Sequence, residues 1–562
     1  MLTADERNYL VDIVGPQWVN TDPCMLDTYA FYMNPEVMNR DGGRWLPRPG
    51  AVVMPANTRE VSRLVALCNK LDLMVKPLST GWGTWAAASS DRVVVLDLKR
   101  MDRILDIDVK NQIAVVEPYV KAILLQTELF KVGLNVHVVS CGGNHSLLAA
   151  STAAWGYGLT GSSMSYSGRN LLGVEWVLPS GEVVALGSAG SGAGWFSADG
   201  PGPSLRGVMR GFSGSFGGLG VFTKAALKLY RWDGPQELKV AGASPHYRLE
   251  EIPKNLGLFA LAFPSSKALA DAGYKLGEAE LSYAEFRLPA FMQALGTTAD
   301  NLALKKLWET GTFQKIAPWS LIIAVSGQSD REFAWKLRAL KEVLAETGGV
   351  NLPLQLQPPE PLFPAMKQVF KFIDDPLALL RAVPPLAEAA RSLPVNSEVR
   401  LQRLSELFWV LVRHATNTQG NFRPSQSMFT SLGSFDTWDL GLKQSAWIAE
   451  RKQEYIQKGL ILDDGGDAGC GGTFENGHLG YLEGIGMYAA KNPESVKAVA
   501  QLIDEGTQAC IKESLGIPIA GLGSVMNERF GPHCGNYHEW MKKIKQALDP
   551  NTACDPFFYV KP

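Results

Sequence analysis

The chain has 562 residues, a length that fits three to four ordinary domains or two large ones. Its 46% apolar and 20% charged residues exclude wholesale disorder. With 54 Lys and Arg against 56 Asp and Glu, no basic excess draws it to nucleic acid or an anionic membrane surface.

The first fifteen residues lack the basic head, apolar run and small-residue cleavage site of a signal peptide. Residues 51–54 form a short apolar run. Asn57 then caps a helix with Glu60 three residues on, and Val61, Leu64, Val65 and Cys68 share one apolar face. A strand over 74–78 leads into the loop Ser79-Thr80-Gly81-Trp82-Gly83-Thr84. Strands are predicted over 93–97, 104–109 and 112–117, a helix over 121–132, and a hairpin joining 174–178 to 183–186. A strand over 221–230 closes this half.

The rhythm changes after Trp232-Asp233-Gly234-Pro235. A strand over 319–325 precedes a helix capped by Ser329 with Glu332, whose buried face is Phe333, Leu337, Leu340 and Leu344. A strand over 485–489 precedes a helix capped by Asn492 with Pro493 in its first turn, and Val496, Val499, Ala500 and Ile503 are expected inward. The two units are expected to share one sheet with helices on one face. The division expected is 1–234 (core 51–230), a second α+β domain over 235–500, and a segment 501–562 that returns to the first.

Glycine and charge are unevenly spread. From Val132 to Gly168 there are 37 residues without an Asp, Glu, Lys or Arg, yet no window there is apolar enough for a spanning helix. Backbone buried against a neutral or internally compensated partner explains the stretch, whether that partner is a cofactor or plain core. The seven cysteines are scattered, without a CxxC pair or Cys/His cluster, so no metal or iron–sulfur site is expected and a cytoplasmic location is favoured. No GxxxxGK[ST] is present, and the GxGxxG of Gly156, Gly158 and Gly161 runs into a Ser-rich loop rather than an amphipathic helix. The usual ATP, GTP and Rossmann sites therefore lack support.

The ordered motifs resemble the FAD-binding domain shared by para-cresol methylhydroxylase and vanillyl-alcohol oxidase. The resemblance starts at Ala51-Val52-Val53-Met54-Pro55 and continues in Pro77-Leu78-Ser79-Thr80-Gly81, similar to the family's P-x-S-x-G. It runs on through Asp97-Leu98-Lys99-Arg100-Met101, Ala114-Val115-Val116-Glu117-Pro118, Trp155-Gly156-Tyr157-Gly158, Gly173 to Leu178, and Gly214 to Lys224. Leu548-Asp549-Pro550-Asn551 resembles the family's tail. The fold implied is α+β: a two-part FAD-binding domain of the PCMH type, plus an α+β cap with an antiparallel sheet covered by helices.

The resemblance implies FAD as cofactor, held by Ser79, Thr80, Gly81, Trp82, Gly83, Thr84, Pro118, Gly142, Gly143, His145, Ser151, Trp155, Gly158, Gly161, Gly220 and Val221. For chemistry it directs attention to Glu475, His478 and Tyr481, with Arg529 as a carboxylate binder. A structural histidine and a surface ion pair are the alternatives for His478 and Arg529. The family's phenolate-holding tyrosines and arginine fall near Ala86 and Gly516-Ile517, and the acid expected after the G-x-G-Y loop meets Gly161-Ser162-Ser163.

The implied activity is oxidation of an alcohol, hydroxy acid or activated benzylic carbon by hydride transfer to flavin N5. Electrons would then go to an acceptor protein or oxygen. A glycolate or D-lactate dehydrogenase-like activity and a flavin-binding, non-catalytic subunit of a redox complex are the alternatives. A small organic substrate and a homodimer or larger homo-oligomer are expected, without nucleic acid or a membrane span.

Overall fold

The computed structural model describes residues 2–30, 35–38, 46–81, 86–139, 143–153, 156–196, 205–209, 213–243, 247–250, 253–287, 289–298, 300–311, 313–314, 319–352, 406, 409–413, 427–467, 469, 471–517 and 524–562. Continuous apolar runs in the first part become strands buried on both faces. Ala51–Val53, Val93–Asp97 and Met74–Leu78 lie parallel, with Val93–Asp97 in the middle and Val19–Asn20 antiparallel on the outer edge of Ala51–Val53. The crossover helix is Thr58–Lys70. Asn57 Oδ1 accepts from Glu60 N at 3.0 Å and Glu60 Oε2 accepts from Ala56 N at 2.8 Å, and the predicted face of Val61, Leu64, Val65 and Cys68 is fully buried.

A five-stranded antiparallel sheet follows, in the order Ile104–Asp108, Ile113–Val116, Val221–Lys228, Leu171–Val177, Val183–Leu186. The predicted hairpin is present, with Val177 opposite Val183. Fully buried Trp176 ties it inward by donating from Nε1 to Leu219 O at 3.0 Å.

Farther along, beside the short antiparallel pair of Val240–Ala241 and Arg248–Leu249, the described strands fall into two larger sheets rather than the single one expected. Ala284–Arg287, Ser320–Ser326, Leu256–Ala262 and Val350–Leu352 form one, and Ser427–Asp436, Leu479–Tyr488 and Gly471–Phe474 the other. The two anticipated strand–helix units thus sit in different sheets, which meet where Thr473 N donates to Glu285 Oε1. Ser329 caps Asp330–Thr347, which buries Phe333, Leu337, Leu340 and Val343, while Leu344 is half-buried. Asn492 caps Pro493–Lys512. Its inner face is Ser495, Ala498, Val499, Leu502 and Gly506, with Val496, Ala500 and Ile503 only half-buried. Small residues admit the closest approach there, and a hydrophobicity count passes over them.

The last residues return to the first sheet. Val75 N donates to Ala553 O at 2.7 Å and Asp555 N to Val75 O at 3.0 Å, so the tail lies along the free edge of Met74–Leu78. Lys545 and Asp549 of the tail motif form a fully buried ion pair. Lys545 Nζ also donates to Gly218 O (2.7 Å) and Cys554 O (2.8 Å), while Asp549 accepts from the amides of Ala553 (2.7 Å) and Cys554 (2.9 Å). Among the described residues the five cysteines are free thiols, no helix is long and apolar enough to cross a membrane, and no His/Cys/Asp/Glu cluster fits a metal.

Candidate cofactor and substrate site

The strand Met74–Leu78 delivers Ser79, Thr80 and Gly81 to one end of a cleft enclosing roughly 850 Å³, its open mouth included. Leu98, Pro118, Val139, His145, Ser146, Ala149, Ala153, Phe216, Gly220 and Phe222 are among the residues that continue the lining. Ser146 sets one wall: its Oγ donates to Pro118 O at 2.6 Å and accepts from Ala149 N at 3.0 Å, capping Leu147–Thr152. Gly220 has φ +118°, and a Cβ there would lie 2.3 Å from Val177 O.

His145 is the single ionisable side chain among the described lining residues. It is buried, and Val139 N donates to its Nε2 at 3.4 Å. The uncharged stretch accordingly supplies much of the wall and is buried over most of its described length, with Val132, Asn144 and Ser163 exposed. Below it His137 bridges Thr160 Oγ1 (3.1 Å, through Nδ1) and Gly156 O (3.3 Å, through Nε2), and burial pushes its pKa down to about 3. A neutral ring with its proton on Nε2, inferred from the carbonyl partner, satisfies both contacts. Gly158 packs on that ring, where a Cβ would be 2.4 Å from His137 Cε1.

A cleft that combines the hydroxyls of Ser79 and Thr80 and the backbone of Gly81 with apolar, uncharged walls fits FAD. Amides and hydroxyls can face the pyrophosphate while the ring systems take the apolar part. The residues present that would hold it are Ser79, Thr80, Gly81, Pro118, His145 and Gly220, all in the lining. Gly143, Ser151, Gly158, Gly161 and Val221 are buried nearby without lining the cleft. Trp82, Gly83, Thr84, Gly142 and Trp155 lie outside the described residues.

Lys76 gave no signal in the sequence. It is fully buried one residue before the lining, its Nζ has no hydrogen-bond partner, and it sits 5.0 Å from the Phe558 ring. Burial pushes its pKa down to about 8, partly opposed by Asp555. Between about pH 8 and its ordinary value near 10.5 the unfolded chain binds the extra proton, so stability rises with pH across that window. Urea midpoints of the FAD-depleted protein are expected to show this rise, and Lys76→Met to abolish it.

The four expected chemical residues do not form one group. Glu475 Oε1 accepts from Ser165 Oγ (2.8 Å) and pairs with Arg169 Nε (3.2 Å). His478 is exposed at the end of the same turn. Tyr481 is fully buried, donating to Glu483 Oε2 at 2.8 Å with its ring 4.5 Å from that of Tyr157. Arg529 pairs with Asp504 of Pro493–Lys512 at 2.7 Å, the ion-pair alternative. Sequence reasoning missed Glu285, fully buried at the meeting of the two later sheets. A signal was available: Glu285 and Arg287 alternate within the apolar run 281–287.

Residues 49–187 match the family described as FAD binding domain. The glycolate oxidase subunit GlcD of Bacillus subtilis (strain 168) is 26% identical over 237 residues, covering 41% of this chain and 45% of that protein. The 4-cresol dehydrogenase (hydroxylating) flavoprotein subunit of Pseudomonas putida is 25% identical over 305 residues, covering 51% and 54%. The chain thus spans about half the length of these curated relatives. Among solved structures, 4-ethylphenol oxidase from Gulosibacter chungangensis, in its isoeugenol complex, aligns with a TM-score of 0.67 and 18% identity over 99% of this chain and 97% of that one. Residues 49–187 thus match an FAD binding domain, the whole chain shares its fold with 4-ethylphenol oxidase, and FAD is the cofactor.

Proposed function

We propose that the chain is an FAD-dependent oxidoreductase that takes a hydride from an alcohol, hydroxy acid or activated benzylic carbon. The neutral cleft that opens from residues 79–81 and runs past His145 carries this reading. Bound FAD supplies the two-electron acceptor; the chain's own residues hold it and exclude water. His137 and Ser146 fix the walls, and the two later sheets contribute a cap over the distal end. In this reading residues 1–234 bind FAD, 235–500 hold the substrate and 501–562 brace the first part.

The glycolate or D-lactate-like alternative draws support from the GlcD match and needs a cationic carboxylate binder in the cap. Of the buried cations described in 235–500, Arg287 and Lys452 are neutralised by Asp467 and Asp464, whereas Arg413 donates to Ile123 O and Thr127 Oγ1. The reading extends to a cytoplasmic homodimer or larger homo-oligomer that passes electrons to a protein acceptor or to oxygen. Light scattering tests the assembly.

The purified protein is expected to be yellow and to bleach anaerobically with at least one member of a panel of benzyl alcohol, glycolate, D-lactate and 4-ethylphenol. A colourless protein that takes up no FAD would sink the reading. A yellow protein that no donor bleaches would instead identify a non-catalytic flavin subunit.

A further inference from the structure

Among the described residues five Lys or Arg side chains are buried. Arg287, Lys452 and Lys545 pair with Asp467, Asp464 and Asp549, and Arg413 donates to Ile123 O and Thr127 Oγ1. Lys76 is the exception: it is fully buried, and no described residue accepts a hydrogen bond from its Nζ. A native fold seldom holds an unsatisfied ammonium out of water unless something else uses the charge.

Its place is set by the strand that presents the cofactor loop. Side chains two apart on a strand share a face and stand about 7 Å from one another. Lys76 therefore lies on the face of Leu78, which lines the cleft, and Pro77 between them lines it too. The register puts Val95 and Val52 beside Lys76 on that face, away from the crossover helix. The Phe558 ring covers the amine at 5.0 Å and packs in one cluster with Phe216, a residue of the lining. Gly217 of the lining closes on the same strand, since a Cβ there would be 2.5 Å from Pro77 Cδ. The ammonium is thus enclosed directly behind the wall made by residues 77–78 and 216–217.

We propose that Lys76 is the counter-cation of the cofactor: from behind the wall, its ammonium balances the FAD pyrophosphate that residues 79–81 hold through hydroxyls and amides. The cleft itself offers that dianion little, because His145 is the single ionisable side chain among the described lining residues. A charge acts through packed protein over distances at which water would screen it, so Lys76 needs no contact with the cofactor. It acts on oxidised FAD, before any substrate arrives.

The groups around Lys76 leave its charge to the cofactor. Asp555 of the tail is fully buried and accepts from the amides of Ser89 (2.9 Å) and Phe557 (3.1 Å). Lys545 is neutralised by Asp549, and burial pushes the Cys554 thiol up, so that it stays protonated. Burial also pushes the Tyr559 hydroxyl up to about 12. On the neighbouring strand Asp97 pairs with Lys99 (3.0 Å) and accepts from Tyr29 Oη (2.8 Å). Residues 213–220 carry no ionisable side chain. With Lys76 charged, Asp555 is balanced; with Lys76 neutral, Asp555 stands alone against the anionic cofactor. Burial pushes the Lys76 pKa down to about 8, partly opposed by Asp555. A bound dianion draws the proton back, so FAD binding takes up a proton from solvent above about pH 8.

Dilution of the FAD-loaded protein into buffers of pH 6.5 and 9.5 gives the FAD Kd from the flavin fluorescence recovered on release. The Kd of Lys76→Met is expected to exceed that of wild type about tenfold at pH 6.5, and the ratio to fall severalfold by pH 9.5 as wild type loses its charge. Phosphorus NMR of the bound FAD locates the effect. Its pyrophosphate resonances are expected to titrate with a midpoint above about pH 8 in wild type and to stay fixed in Lys76→Met. A Kd ratio that is equal at both pH values overturns the proposal. So do wild-type phosphorus resonances that stay fixed while the flavin absorbance titrates, which would assign the charge to the isoalloxazine. Should Lys76→Met not load FAD, or FAD not leave on dilution, Asp555→Asn is expected to lower the phosphorus midpoint, because Asp555 helps Lys76 keep its proton; an unmoved midpoint overturns the assignment. Every readout uses oxidised FAD alone and is separate from whether any donor bleaches the flavin.

Discussion

Lys545→Met is expected to lower the melting temperature by about 10 °C and to strip FAD from the purified protein. The substitution leaves Asp549 as a fully buried, uncompensated carboxylate, and breaking such a pair costs roughly 3–5 kcal/mol. Two backbone contacts, to Gly218 O and Cys554 O, go with it. Gly218 neighbours Gly217 of the cleft wall, and Cys554 pairs with Val75 on the strand that presents residues 79–81, so the damage spreads to the cofactor site. Lys545→Met combined with Asp549→Asn should recover part of the loss, since the amide carries no charge but still accepts a hydrogen bond. Lys542→Met, on the same helix and paired with half-exposed Glu539, should stay within about 1 kcal/mol of wild type. Thermal unfolding with the 450-to-280 nm absorbance ratio checks all three. A Lys545→Met protein that keeps both its stability and its FAD would contradict the account.

Gly220→Ala is expected to be nearly as damaging. At φ +118° alanine is strained by at least about 1–3 kcal/mol. Its Cβ would also press on Val177 O at 2.3 Å and Trp176 Nε1 at 2.7 Å. Neither can yield, because Val177 is in the five-stranded sheet and Trp176 is fully buried with its Nε1 committed to Leu219 O. Gly220 lines the cleft, so the strain should appear as lost FAD as well as a lower melting temperature. Gly133→Ala supplies the contrast: φ is +72° but nothing lies within 4 Å, and a cost of about 1 kcal/mol is expected with FAD retained.

Local signals carried the first half of the fold. Fully buried parallel strands are continuous apolar runs, and Asn57 with Glu60 marks a helix start by chemistry confined to four residues. The tail motif was visible as letters, but the reason for its Asp549, and for Lys545 one turn before it, is a set of contacts to Gly218 and Cys554 that no local pattern encodes. The inner face of Pro493–Lys512 was misplaced because Ser495, Ala498 and Gly506 pack by being small. At the site, the glycine loop ending at residue 81 and His145 could be read from motif order. Glu285 showed only as a charge within the apolar run 281–287, since its contacts, to Thr473 and Leu159, lie far from it in sequence. Lys76 escaped for the same reason: the aromatic ring beside its amine is that of Phe558.

The tail's place beside Met74–Leu78 also bears on biosynthesis. Ser89 N is held by Asp555 Oδ2, a contact spanning 466 positions, and Val75 exchanges hydrogen bonds with the same tail. A nascent chain emerging from the ribosome can form the crossover helix early, but it lacks the edge beside the strand that presents the cofactor loop until residues 553–555 have emerged. Truncation before Ala553 is therefore expected to give a protein that takes up FAD poorly, read as a low 450-to-280 nm absorbance ratio.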